Sequence, residues 1–120
     1  EVIPFLESHL DPGISKALVR SAALFRDDAD ALDEWAAKEW DRLKVLECDY
    51  LSGLPRAIRT RIIRLAAYEA GVSQGTLTAE QVGAVEALIS AWKGQGAIAL
   101  SGGVKVERIS GRLTLSKDPV

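Results

Sequence analysis

The sequence predicts a mainly α fold: a three-helix bundle with a long first helix, followed by a small three-stranded antiparallel β-meander. Three observations carry that prediction. Apolar residues recur at helical spacing from Leu18 to Trp92, as an amphipathic helix requires. Helix boundaries are written locally, at Asp11-Pro12, Pro55, Gly71 and Thr78-Ala79-Glu80-Gln81. After Gly96 the apolar period drops to two, with glycine-bearing pairs between the runs.

Residues 1–10 read as the tail of a segment upstream, with apolar Val2, Ile3, Phe5 and Leu6 offered to a partner surface. The chain does not begin with Met, which suggests a fragment. Asp11 is an N-cap candidate before Pro12 at the first helical position. Leu18, Ala22, Phe25, Ala29, Leu32, Ala36, Leu43 and Leu46 then form one apolar stripe. Trp35 and Trp40 lie off it and widen the buried face or cover another element. A connector over 47–54 leads to Pro55, which opens the second helix; Ile58, Ile62 and Leu65 give its core face, and Gly71 ends it. Thr78 to Gln81 is a capping box for the third helix, whose buried side is Val82, Val85, Leu88, Ile89 and Trp92. The meander occupies 97–116, with strands over 97–100, 104–109 and 113–115. Gly102-Gly103 and Ser110-Gly111 supply the positive-φ turns.

Composition narrows the function classes. Apolar residues make up 48% and charged residues 27%, ordinary for one globular domain. No apolar run approaches the roughly 20 residues of a membrane span, and Glu1-Val2-Ile3-Pro4 does not read as a signal peptide, so none is expected. A lone cysteine, Cys48, excludes an internal disulfide or a multi-thiolate zinc site and fits a reducing, cytoplasmic setting. A lone histidine, His9, near the N-terminus, is the only residue through which a His-based triad could run. The net charge of −2 conceals an asymmetry: residues 1–50 carry 12 acidic and 6 basic side chains, residues 51–120 carry 5 and 9. The second half is the one suited to a polyanion.

That basic half contains the candidate site. Arg56, Arg59, Arg61 and Arg64 lie on the second helix away from Ile58, Ile62 and Leu65. Guanidinium forks suit phosphate oxygens, donating two bonds to one anion. The same arginines equally suit ion pairing with the acidic first helix. Lys93, Lys105, Arg108, Arg112 and Lys117 continue the positive charge into the helix end and the meander, where lysines also protect sheet edges. Asp27, Asp28, Asp30, Asp33 and Glu34 form an acidic cluster without calcium-loop spacing. It reads as a solvated face pairing with Arg26 or Lys38 rather than a metal site. Ser101-Gly102-Gly103-Val104 looks like the start of a pyrophosphate loop, but Lys105 and Val106 stand where Asp and Ser are needed and a strand follows. It reads as a hairpin turn. No catalytic residues and no metal-ligand spacing are evident.

The order of segments resembles the accessory, substrate-binding C-terminal domain of the tRNA(Ile)-lysidine synthetase family. The resemblance rests on Ile3-Pro4-Phe5-Leu6-Glu7, on the stretch from Arg20 to Asp33, and on Leu54-Pro55-Arg56-Ala57-Ile58-Arg59-Thr60-Arg61-Ile62-Ile63-Arg64. It continues through Trp92-Lys93-Gly94-Gln95-Gly96, Leu100-Ser101-Gly102-Gly103-Val104 and Gly111-Arg112-Leu113. It implies a ligase that adenylates the wobble cytidine of a minor isoleucine tRNA with ATP and magnesium, then joins lysine to it. Those substrates belong to an N-terminal catalytic domain absent from this chain, so no cofactor is expected here. The implied partners are tRNA, through Arg56, Arg59, Arg61, Arg64, Lys93, Lys105, Arg108 and Arg112, and the catalytic domain of the same polypeptide, with no membrane. The competing expectation is a helical protein-interaction or docking module without RNA contact.

Overall fold

A computed structural model describes residues 12–117. Backbone contacts divide the chain between Leu32 and Asp33 into two units. The expectations for residues 1–11, including the apolar docking segment, His9 and the Asp11 cap, lie outside the described residues.

Helix α1 spans Pro12–Leu43. In the first unit, Leu24 and Phe25 are exposed, Phe25 at 74%; the apolar stripe is therefore not buried at Phe25 as its spacing suggested. In the second unit the last turns of α1 are anchored by Ala36 and Trp40, both buried. Lys44 ends the helix at φ 54°, a left-handed conformation, with its N–H given to the Trp40 carbonyl at 2.9 Å. A left-handed cap is ordinarily glycine's task. Here the Lys44 ammonium is held by Glu69 at 2.8 Å and lies 5.1 Å from the Trp40 ring centroid.

The rest of the second unit follows in order: β1 (Leu46–Glu47), α2 (Cys48–Ser52), α3 (Arg56–Ala70), α4 (Ala79–Ser90), β2 (Ile98–Ala99), β3 (Val104–Ile109) and β4 (Arg112–Lys117). Helices followed by a small antiparallel sheet are as the sequence predicts. Two short elements enrich that picture. The connector holds the five-residue helix α2, and Leu46 and Glu47 join the meander as a fourth strand, giving the order β1-β4-β3-β2. Leu46 pairs with Leu113 and Glu47 with Arg112.

Local chemistry explains the boundaries. Pro55 caps α3 from one position outside it. Gly71, at φ 118°, ends it in a Schellman pattern: Gly71 N–H reaches the Tyr68 carbonyl and Val72 N–H the Ala67 carbonyl. The capping box at α4 is reciprocal, with Gln81 N–H on the Thr78 hydroxyl and Thr78 N–H on the Gln81 amide oxygen. Ser110 and Gly111, both at positive φ, make the two-residue turn between β3 and β4. The Gly111 carbonyl also accepts the Cys48 N–H at 2.9 Å, tying the hairpin to the start of α2.

The core gathers Leu51, Ile58, Ile62, Ile63, Val85, Leu88, Val104 and Val106. Full burial of each such side chain contributes roughly 1.5–3 kcal/mol. The face of α3 is rotated from the expected one. Ile63, Ala66 and Ala67 are buried with Ile58 and Ile62, while Leu65 is only half-buried. Leu65 instead lines a cleft of about 160 Å³ with Asp33, Ala36, Arg61, Arg64 and Tyr68.

Candidate nucleic-acid interface

The rotation of α3 decides what its arginines can do. Arg59 stands three and four positions before Ile62 and Ile63, so it points with the buried stripe, not away from it. Its side chain is 13% exposed, and Glu86 on α4 is 6% exposed. The Arg59 fork donates to Glu86 Oε1 through Nε at 3.1 Å and Nη2 at 2.8 Å, and through Nη1 to the Leu54 carbonyl. The Ser90 hydroxyl donates to Glu86 Oε2 at 2.9 Å. A charge removed from water persists only when paired and hydrogen-bonded, and both members here are. The expected exposed arc of four guanidiniums therefore loses Arg59, whose fork is committed to the interior.

The other candidates separate by face. Arg56, at the exposed first turn of α3, is 65% exposed and only grazes Glu86, at 3.9 Å. Arg61 donates through Nε to Asp33 at 2.7 Å and through Nη1 to the Ala57 carbonyl. Arg64, on the rim of the α3 cleft, has no ion pair among the described residues, and neither has Lys93 beyond α4. On the sheet, Lys105 and Arg112 lie on the outer face with Glu107, Thr114 and Ser116. Arg112, 61% exposed, pairs with Glu47 on the neighbouring strand. Arg108 turns to the inner side: its Nη1 donates to the Leu88 carbonyl at 2.8 Å, and its guanidinium lies 5.0 Å from the Trp92 ring centroid. Lys117, also on that side, reaches the cap glycine Gly71.

All eight candidate residues fall within 46–114, and that stretch matches the family model described as the TilS substrate binding domain. The chain is 45% identical over 98% of its length to a tRNA(Ile)-lysidine synthase of Thermobifida fusca, and 49% identical over 96% to one of Streptomyces coelicolor. The chain belongs to the TilS substrate-binding domain family. It covers 38% and 34% of those two relatives, whose further length lies outside it.

Within this TilS-family domain, two features escaped the sequence reading. Glu86 was readable as a charge on an apolar stripe, four positions after Val82 and three before Ile89. Its partner Arg59 carried the same signal. Trp92, expected on the buried side of the third helix, is 41% exposed, because α4 ends at Ser90 and the indole stands past its last turn. The Ser101-Gly102-Gly103 segment is the expected hairpin turn, a single 3-10 turn joining β2 to β3 with Gly102 and Gly103 at positive φ. The Ser101 hydroxyl donates to the Thr76 carbonyl at 2.9 Å.

The displaced pKa values of the domain belong to its scaffold. The Tyr50 hydroxyl, donating at 2.6 Å, holds Glu39 below the usual carboxylate range, with Arg42 assisting. Lys44 and then the Trp40 N–H lower Glu69 in the same way. Burial pushes the Cys48 thiol up. Lys38 pairs with Glu34 at 3.1 Å along α1, as the solvated-face reading expects. Among the described residues no group of three His, Cys, Asp or Glu is placed to hold a metal, and no helix is long and apolar enough to cross a membrane. What the exposed cations offer chemically is anion contact, by charge-assisted hydrogen bonds.

Proposed function

We propose that this domain grips tRNA for a lysidine-forming ligase, presenting the wobble cytidine of a minor isoleucine tRNA to a catalytic domain elsewhere in the polypeptide. The observation that carries the reading is the match of residues 46–114 to a substrate-binding domain, in a chain similar to tRNA(Ile)-lysidine synthases along nearly its whole length. ATP, magnesium and lysine would then be handled by the catalytic domain in the cytoplasm. Arg56, Arg64, Lys93, Lys105 and Arg112 would meet phosphates and ribose, which position a nucleic acid without reading its sequence. Arg59 and Arg108 would act behind them, holding the helices and sheet that carry these side chains.

The test is binding of unmodified minor isoleucine tRNA across a salt series, with an unrelated tRNA alongside. The expected result is modest affinity that falls steeply with salt, because each neutralised phosphate releases counterions. A second reading, an interdomain docking module without RNA contact, draws on the internal pairing of Arg59, Arg61 and Arg112. Absence of tRNA binding at low salt would put that reading first.

A further inference from the structure

Trp92 is an aromatic side chain whose position packing does not explain. It follows the last turn of α4, and 41% of its surface remains accessible. Its indole N–H has no hydrogen-bond partner among the described residues, whereas Trp40 gives its own to Glu69. Arg108 lies over the ring at 5.0 Å, yet Arg108 is already anchored on the Leu88 carbonyl and does not need the indole to hold it. The segment after Trp92 is fixed rather than loose. The Gln95 side chain accepts the Lys93 N–H at 2.6 Å and donates to the Ala91 carbonyl at 3.3 Å, bracing the turn that Gly94 makes at φ 79°. The result is a braced, partly open indole, backed by a guanidinium and followed at once by Lys93, a cation with no ion pair among the described residues. Arg56 stands at the same end of the helix pair, where the start of α3 meets the end of α4 through Arg59 and Glu86.

An aromatic face beside cations is how single-stranded nucleic acid is held: the base stacks on the ring while the cations meet its phosphates. We propose that Trp92 is a stacking platform for an unpaired nucleobase of the bound tRNA, with Lys93 and Arg56 on the flanking phosphates. The proposal rests on the tRNA-gripping reading and adds to it a site for a base that the tRNA fold leaves unstacked. The backing guanidinium favours this use, because it holds the ring's plane while its charge adds to the local positive field.

The experiment compares the unsubstituted chain with Trp92→Leu and Trp92→Phe, measuring tRNA affinity over salt and the tryptophan emission that Trp92→Phe removes. Trp92→Leu is expected to weaken tRNA binding by about fivefold to 150-fold, as loss of one stacked base does. The salt slope should be unchanged, because no phosphate contact is lost. Trp92→Phe should retain much of the affinity. Trp92 emission should be quenched by tRNA and by single-stranded oligoadenylate, and not by a blunt RNA duplex. Equal tRNA affinity in Trp92→Leu and the unsubstituted chain, without quenching, overturns the platform and leaves the gripping function standing. No tRNA binding by the unsubstituted chain at low salt overturns both. If Trp92→Leu does not fold, the quenching comparison decides alone.

Discussion

Arg59 and Arg64 stand on the same helix within two turns of each other, yet one is committed to a buried carboxylate and the other is left half-buried at a cleft without an ion pair among the described residues. Arg59 is packed with the apolar stripe and holds a buried carboxylate with a fork and a carbonyl contact. Arg64 rims a shallow cleft and has no ion pair among the described residues. Arg61 lies between these extremes, with a short bond to an aspartate that is itself 65% exposed. A helix rich in arginine is thus not one basic surface. Each guanidinium takes its role from its angle relative to Ile58, Ile62, Ile63 and Ala66.

The comparison is broken most forcefully at Arg59. Arg59→Ala leaves Glu86 buried without its partner and should cost about 3–5 kcal/mol in chemical denaturation. The double replacement Arg59→Met with Glu86→Leu should recover most of that loss, since an apolar pair needs no compensating charge. A single replacement that costs under about 1 kcal/mol would show that the pair is not the inner anchor. Next in size are Arg56 and Arg64, which hold no buried carboxylate as Arg59 does. Arg56→Glu with Arg64→Glu should lower tRNA affinity by about tenfold or more at low salt and flatten its salt slope, while moving the unfolding free energy by no more than about 0.5 kcal/mol. A stability loss as large as that of Arg59→Ala would erase the distinction between Arg59 and these two arginines. Arg61→Ala sharpens the middle ground. Its partner Asp33 is 65% exposed and loses little when left alone, so the expected cost is under about 1 kcal/mol.

The smallest effect is expected from Cys48, a buried group without a charge partner of the Arg59 kind. Burial raises its thiol pKa above the ordinary 9.0. In the pH range between the unfolded and folded values, the folded state holds a proton that the unfolded state has lost. Stability is therefore full below the ordinary thiol range and declines as pH rises through it. Denaturation midpoints above and below pH 9 should show that decline, and Cys48→Ala should lessen it, leaving the part due to Tyr50, whose hydroxyl is raised by its hydrogen bond to Glu39.

What was readable in the sequence was what local chemistry writes. The Gly71 terminus, the Thr78–Gln81 capping box and the Ser110-Gly111 turn each depend on neighbours a few positions away, and each stands where the pattern placed it. The two-residue strand β1 was not readable, because Leu46 and Glu47 are a strand only by virtue of Leu113 and Arg112. The candidate site was legible as a set of residue types but not as a surface. A core face through Leu65 and one through Ile63 differ by a rotation about the α3 axis, large enough to move Arg59 from the outside to the inside. The lone acid Glu86 among Val82, Val85 and Ile89 was the available warning. A charge on a stripe that is otherwise apolar calls for a buried partner of opposite sign, and Arg59 holds the matching position on its own helix.

The pairing of β1 with β4 also has a consequence for how the protein is made. Leu46 leaves the ribosome long before Leu113, and until that later strand emerges the earlier one has nothing to hydrogen-bond to. Contacts so distant along the chain carry a loop-closure cost before they return any stability. The helices can form and meet during synthesis, but β1 waits for β4. The unit is therefore sealed from its C-terminal end, and a nascent chain stalled before Arg112 would leave Leu46 and the Arg112-side edge of β3 exposed to other chains.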